Sequence, residues 1–459
     1  MLNQQLVQKV LERALSTGAD FAEVFVEDKV NTGLSYVDGR LDRIGTGQDY
    51  GLGLRLIKGL EVLYAYTSDL SEDSLLKMAE RTAQIFTEKQ HASVIAFNPA
   101  PPLQINPIKI RPQDVALKEK VELLRKNYEI AKAYDPMIVQ AAMNYLDETQ
   151  KVLIANSEGL WVEDERIRSR FFASAIAMHE GEMQTGYMGP GSSKGFEFFQ
   201  ENDLEAITKE ACRIAVTMAK ANYAPSGKMP VIMDNSFGGV LFHEACGHGL
   251  EAAFVSKGES VYAGMLGKQI ASPLVTAIDD GTIAGEWGSS TYDDEGTPTQ
   301  RNLLIENGIL KSYLVDRYTG KRSGMKTTGS SRRQSYRYAP TSRMNNTFIA
   351  AGESTRDEII TNTEYGLYAK NLGGGSVDVT TGEFNFAVLE GYLIKDGKIT
   401  EPVRGASLIG SGKEVLEKID MVGREFELGQ GVCGASSGSI PASLGQPPLR
   451  ISELTVGGR

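Results

Sequence analysis

VTTGEFNFAVLEGYLIKDGKI, residues 379–399, sets short apolar runs between glycine and aspartate turns. The same texture occupies AGEWGSSTYDDEGTP (284–298), LLIENGILKSYLVD (303–316) and YGLYAKNLGGGSVD (365–378). Short runs punctuated in this way predict a mainly antiparallel β domain with few long helices. Glycine supports that reading. The chain has 49 glycines in 459 residues, concentrated in its second half, where tight turns and close backbone approaches need them. Upstream, VIMD (231–234) reads as one more strand, and NYAPSGKMP (222–230), with Pro225, Gly227 and Pro230, reads as a linker. The C-terminal domain is therefore placed at 231–459 and the N-terminal one at 1–221.

The N-terminal part changes period several times. Apolar residues from Leu6 to Leu15 follow a helical spacing that Gly18 ends, and a second helix fits Glu72 to Phe86. Between them Phe21–Val26, Gly33–Val37, the alternating Leu52, Leu54 and Leu56, and Leu60–Tyr66 are strand candidates. A third helix is expected over Asp114–Ala133, then strands at Ile138–Leu146, Lys151–Ala155 and Gly159–Ala177, then a helix over Leu204–Ala221. Helix, strands, helix thus occurs twice, which suggests two similar lobes. The fold class is α+β: a two-part N-terminal region of helices and antiparallel strands, then a β domain.

Composition narrows the function. With 48 basic and 59 acidic side chains the net charge is -11, which offers no basic stripe for nucleic-acid phosphates. No apolar stretch approaches the roughly 20 residues of a membrane helix, and the N-terminus lacks the apolar run of a signal peptide, so a cytoplasmic protein is expected. Cys212, Cys246 and Cys433 are too few and scattered for a disulfide framework.

Two of the four histidines stand together in FHEACGHG (242–249). Imidazole nitrogens and a thiolate or carboxylate are the usual zinc donors. On a regular helix His243 and His248, five apart, would diverge by about 140°, too far to share an ion. A one-residue expansion, as in a π-bulge, restores their facing, and Gly247 and Gly249 let the chain leave helical geometry. Glu244 then stands beside the metal position as a candidate base for bound water. Spacing leaves the third ligand open between Cys246, which is equally suited to a core, Cys433 and carboxylate donors. Asp279, Asp280, Asp293, Asp294 and Glu295 read as solvated turn residues, the alternative being that Asp293 or Asp294 orients a liganding histidine. NLGGGSVD (371–378) lacks the GK[ST] ending of a phosphate loop, and its glycines instead suit an edge that takes up an extended peptide.

HEACGHGLEA (243–252), STYDDEGTPTQRNLLIENGIL (290–310), YGLYAKNLGGGSVDVTTGEFNF (365–386) and GQPPLRISELTVGG (445–458), in this order, resemble the TldD/PmbA family of metalloproteases, whose older label is modulator of DNA gyrase. The resemblance spans essentially the whole chain. It implies His243, His248 and Cys433 as ligands of one divalent metal ion, usually zinc, with Glu244 catalytic. It further implies a TldD-like member with an intact HExxxH motif. Many TldD-like proteins follow the cysteine with Gly-Lys where this chain reads CGASSG (433–438), a departure expected to alter the neighbouring loop or a substrate contact. The implied function is a zinc-dependent peptidase acting on small or unfolded peptides, as a homodimer or a heterodimer with a TldE/PmbA-like subunit. The alternative is a regulatory or peptide-binding protein, a gyrase or toxin–antitoxin modulator, with a non-catalytic metal.

Overall fold

The structure is a computed structural model that describes residues 1–86, 94–101, 103–378 and 380–458; Val379 and Arg459, included in segments assigned above, lie outside them. The chain begins with helix α1 (Gln4–Leu15), whose first turn is capped by the Asn3 side chain accepting from the Leu6 amide at 2.9 Å. Its buried face, Val7, Val10, Leu11, Ala14 and Leu15, packs on a sheet, each large side chain contributing roughly 1.5–3 kcal/mol by leaving water.

That sheet contains β1 (Phe21–Val37), β2 (Arg40–Lys58) and β3 (Glu61–Thr67), followed by α2 (Glu72–Ala83). After α3 (Leu117–Tyr134) the chain returns to the sheet as β4 (Ile138–Asn156), β5 (Leu160–His179) and β6 (Glu182–Met188), and α4 (Leu204–Lys220) closes this half. The central order is β3-β2-β1-β4-β5, all antiparallel. Strands β1 and β4 pair from Glu23↔Asn156 to Val37↔Ala142, so the two helix–strand–helix segments share one continuous sheet.

These strands are longer than the apolar runs that announce them. The sequence breaks β4 at Asp147–Gln150 and β1 at Glu27–Thr32, where polar residues interrupt the pattern. In the folded chain Glu27, Lys29, Asp147 and Gln150 are buried and find partners. Lys120 Nζ lies 2.6 Å from Asp147, the Tyr145 hydroxyl donates to the same carboxylate at 2.5 Å, and Gln150 Nε2 donates to Glu27 at 2.8 Å. A paired buried charge satisfies its hydrogen bonds without an apolar side chain, so the ladder continues.

Past α4, residues Asn222–Tyr223 add a two-residue strand to the second sheet and β7 (Gly227–Met233) follows. After the motif region come β8 (Ala277–Asp280), β9 (Arg301–Glu306) and β10 (Asn346–Ile349), then β11 (Tyr365–Val377), β12 (Glu383–Lys395), β13 (Lys398–Arg404) and β14 (Ser407–Ser411). The last three strands are β15 (Glu427–Ala435), β16 (Gly438–Gln446) and β17 (Leu449–Gly457). Strands β11, β7, β17, β14 and β12 pair in a ring, because β12 also pairs back with β11. The ring closes around Met233, Leu367, Phe386, Leu408 and Val456. A second layer has the order β9-β8-β10-β16-β15, with β15 on its edge. Nearly all pairings are antiparallel; β7–β11 and β10–β16 are parallel. The architecture is α+β with a mainly antiparallel C-terminal part.

The acidic blocks depart from the sequence reading. Asp279, Asp280, Asp293, Asp294 and Glu295 are all buried rather than solvated, and among the described residues neither Asp293 nor Asp294 contacts a liganding histidine. Asp279 accepts from the Asn345 amide at 2.7 Å and the Thr347 hydroxyl at 2.7 Å. Asp293 accepts the amides of Glu295, Thr297 and Ser331. Asp294 meets Arg166 at 2.6 Å and the Arg333 amide at 2.7 Å; burial would raise its carboxyl, but Arg166 and Arg333 outweigh that and hold it below the usual range. Arg55 joins Glu23 at 2.9 Å to Glu295 at 2.6 Å, so the block fastens the C-terminal half to the N-terminal sheet. Turn residues in sequence become an internal joint because the basic partners come from distant strands. The desolvation of such buried charges offsets much of their mutual attraction, so the network is weak evidence of added stability.

Candidate metal centre

The motif segment starts with a tight approach. A Cβ on Gly239 would lie 2.4 Å from the Gly445 amide nitrogen, so only glycine lets this turn rest against β16. The short helix α5 (Val240–Phe242) follows, and Leu241, Phe242, Ala245 and Cys246 face the apolar core shared with the barrel. From His243 to Gly247 the backbone widens into one π-helical turn, then tightens into a 3-10 turn over His248–Leu250. The widened turn removes the angular mismatch of the five-residue spacing. Both imidazoles come to one side, ring centroids 5.1 Å apart and planes at 87°.

The third donor arrives from β15. Cys433 Sγ lies 3.2 Å from His243 Nε2 and 3.3 Å from His248 Nε2, and the three donor atoms fall within 4.8 Å of one another. All three residues are buried. In a tetrahedral zinc site, metal–nitrogen and metal–sulfur bonds of about 2.0–2.3 Å imply donor–donor edges of roughly 3.3–3.6 Å. Two imidazoles and one thiolate at these separations fit a divalent ion of that kind.

The electrostatics agree with the geometry. Burial would raise the Cys433 thiol, yet the adjoining His243 and His248 outweigh it and bring it from an ordinary 9.0 down to about 3. Burial would likewise lower His248, but Glu251 and Cys433 raise it well above 6.5. Cys246 is the opposite case: burial among apolar side chains pushes its thiol up to about 12. It sits inside the motif yet faces away from the donors.

Glu244, adjacent to His243, places Oε2 at 3.7 Å from His248 Nε2, with its side chain 23% exposed. It is the one carboxylate of the motif that touches both the donor cluster and solvent. Glu251, one turn beyond His248, was not singled out in the sequence. Its Oε1 lies 3.1 Å from His248 Nδ1, so it accepts a proton carried there and orients the ring with Nε2 toward Cys433. The signal was present in HGLE, where the carboxylate stands three residues after the histidine, a spacing that brings side chains together on a helical turn. Among the described residues, buried His243 Nδ1 has no hydrogen-bond partner.

Residues 226–458 match the PmbA/TldA metallopeptidase C-terminal domain, residues 110–219 the central domain, and residues 22–86 domain 1. The chain belongs to the PmbA/TldD family of metallopeptidases. Among relatives in this family, a metalloprotease TldD homolog of Haemophilus influenzae is 38% identical over 470 residues, covering 100% of this chain and 97% of the relative. The TldD homolog of Buchnera aphidicola from Acyrthosiphon pisum is 36% identical, covering 100% and 96%. Two solved structures share the fold at lower identity. A Thermotoga maritima protein named provisionally as a modulator of a DNA gyrase superposes with a TM-score of 0.80 at 22% identity, covering 99% of this chain and 100% of its own. TldE from Thermococcus kodakarensis does so with a TM-score of 0.77 at 20% identity, covering 99% and 100%. No helix among the described residues is long and apolar enough to cross a membrane.

Proposed function

We propose that this chain is a TldD-like peptidase that hydrolyses small or unfolded peptides, with His243, His248 and Cys433 holding one zinc ion and Glu244 as general base and acid. The observation that carries this reading is the convergence of three donors, with a partly exposed carboxylate 3.7 Å from one of them. A bound divalent ion would supply Lewis acidity for the peptide carbonyl and a lowered pKa for water. The chain's own contribution follows from its geometry. Glu244 takes the proton of the attacking water on its carboxylate and returns it to the leaving amine. Glu251 fixes the His248 ring.

A structural zinc site fills four positions with protein ligands, whereas three donors converge here, which favours catalysis over a regulatory protein with a structural metal. We assign the centre to a C-terminal unit, 231–459, joined through 222–230 to an N-terminal unit, 1–221. A homodimer, or a heterodimer with a TldE-like subunit, in the cytoplasm completes the reading, by analogy with the family. Substrate backbone would lie along residues 365–385; beyond Ala369, β11 pairs only with β12 among the described residues, which leaves its other side open to a peptide. A peptide-bound structure with substrate elsewhere would remove that assignment.

The decisive experiment measures metal content and peptide hydrolysis together. Glu244→Gln should keep the wild-type metal stoichiometry and lose activity by about 10²–10⁴-fold. Hydrolysis at the wild-type rate, with contaminating proteases excluded, would rule out Glu244 as the base.

A further inference from the structure

Arg343 has no part in the chemistry above, yet it is completely buried beside the centre, on the segment that leads into β10. Its Nη2 donates to the carbonyl of Cys433 at 2.6 Å. Its Nη1 donates to the Ser437 hydroxyl at 3.0 Å and the Gly438 carbonyl at 3.0 Å, across the turn that joins β15 to β16. Its Nε, which has no hydrogen-bond partner among the described residues, faces Glu251 Oε1 at 3.9 Å. That oxygen is the one 3.1 Å from His248 Nδ1. With His248 Nε2 at 3.3 Å from Cys433 Sγ, the contacts close a ring: Cys433, Arg343, Glu251, His248 and back to Cys433.

A brace of the hairpin turn alone would need only the two Nη groups. The third side of the guanidinium lies at ion-pair distance from the carboxylate that orients the histidine, and a planar fork with a permanent charge is the side chain able to serve both. We propose that Arg343 is a positioning residue of the metal centre, holding the thiolate-bearing strand and the Glu251–His248 pair at a common separation before a metal ion arrives. The histidines come from a helix packed on the barrel and the cysteine from an edge strand of another layer; the backbone bridge Ser236↔Leu428 joins the two segments at a distance from the donors, and Arg343 adds the side-chain contacts beside them.

The inference rests on the metal-centre reading, and its test separates the two. Zinc and cobalt(II) affinities are measured on the full chain by competition with a chromophoric chelator, and the thiolate-to-cobalt charge-transfer band is recorded. Arg343→Met should weaken metal binding by about 10–100-fold, the usual range for losing a partner behind a ligand, and should shift or weaken the band. Arg343→Lys keeps a charge facing Glu251 but cannot reproduce the fork, so it should fall between Met and wild type. Arg55→Met removes another wholly buried guanidinium, whose partners Glu23 and Glu295 are not ligands; it should lower the melting temperature and leave affinity and band unchanged. Folded Arg343→Met with wild-type affinity and spectrum would overturn the proposal. Should that variant not fold, Arg343→Lys decides by the same readouts, wild-type values again overturning it. A wild-type chain that takes up neither ion would instead remove the metal-centre reading on which this one stands.

Discussion

Two cysteines face opposite sides of the same turn. Cys246 lies within the π-helical segment, two residues from His248, and Cys433 lies 190 residues from His243. Both are buried, yet burial drives the Cys246 thiol up to about 12 while the imidazoles hold Cys433 down at about 3. Desolvation by itself makes a thiol inert, and only opposite charge or hydrogen-bond donors at contact distance reverse its sign. Nearness along the chain therefore says little about which cysteine is the donor. The direction that a widened helical turn assigns to each side chain says a great deal.

The contrast is broken most forcefully by removing each sulfur in turn. Cys433→Ala should abolish peptide hydrolysis and weaken zinc binding beyond the roughly 10–100-fold that loss of an outer partner costs, read by metal analysis and chelator competition. Retention of one tightly held zinc per chain in that variant would contradict the assignment.

A second comparison uses pH on the metal-free protein. At pH 6 a thiol of ordinary pKa is only about 0.1% ionised, so iodoacetamide should label Cys433 in the native chain and Cys246 only after unfolding, as peptide mapping would report. Stability should follow from the same shifts. Cys433 has a depressed folded value, so its contribution is present above 9.0 and is lost as pH falls toward about 3. His248 has a raised one, so its contribution is present below 6.5 and is lost as pH rises through its folded value. Above pH 6.5 the His248 slope opposes that of Cys433, so the melting temperature should rise with pH below 6.5 and level off above it. Cys433→Ala should abolish the rise below pH 6.5 and leave a decline above it, because Glu251 still raises His248; an unchanged profile would place the pH dependence elsewhere.

Smaller effects sharpen the picture. A Cβ at Gly247 would lie 2.2 Å from Met344 Sδ, so Gly247→Ala should cost about 1–3 kcal/mol in denaturant unfolding, with partial recovery when Met344 is shortened to Ala. Cys246→Ala should cost only roughly 1 kcal/mol, the loss of one small apolar group from the core, and should leave metal affinity untouched.

The widened turn was legible because arithmetic demanded it: 3.6 residues per turn cannot bring positions 243 and 248 to one side. The choice of Cys433 over Cys246 was not legible from spacing, because it depends on where the edge strand β15 runs in three dimensions. Glu251 was readable in principle from its place three residues after His248. Arg343 was not, since a single arginine in SRMNN (342–346) carries no local mark of the three surfaces it joins. The same limit applied to the strands. Polar breaks at Asp147 and Glu27 looked like strand ends because their partners, Lys120 and Gln150, come from another element and from far along the chain. Periodicity reports an element's own face, and it is silent on what distant residues bring to it.

The ring of strands around the core has a consequence in time. Strand β17 sits between β7 and β14, so the ring stays open until residues 449–457 have been synthesised and docked. The histidines leave the ribosome about 190 residues ahead of the cysteine, and contacts at such separation form late because their loop must close first. A nascent chain therefore exposes two imidazoles and a carboxylate with no thiolate to complete them. The three donors can therefore meet only near the end of synthesis.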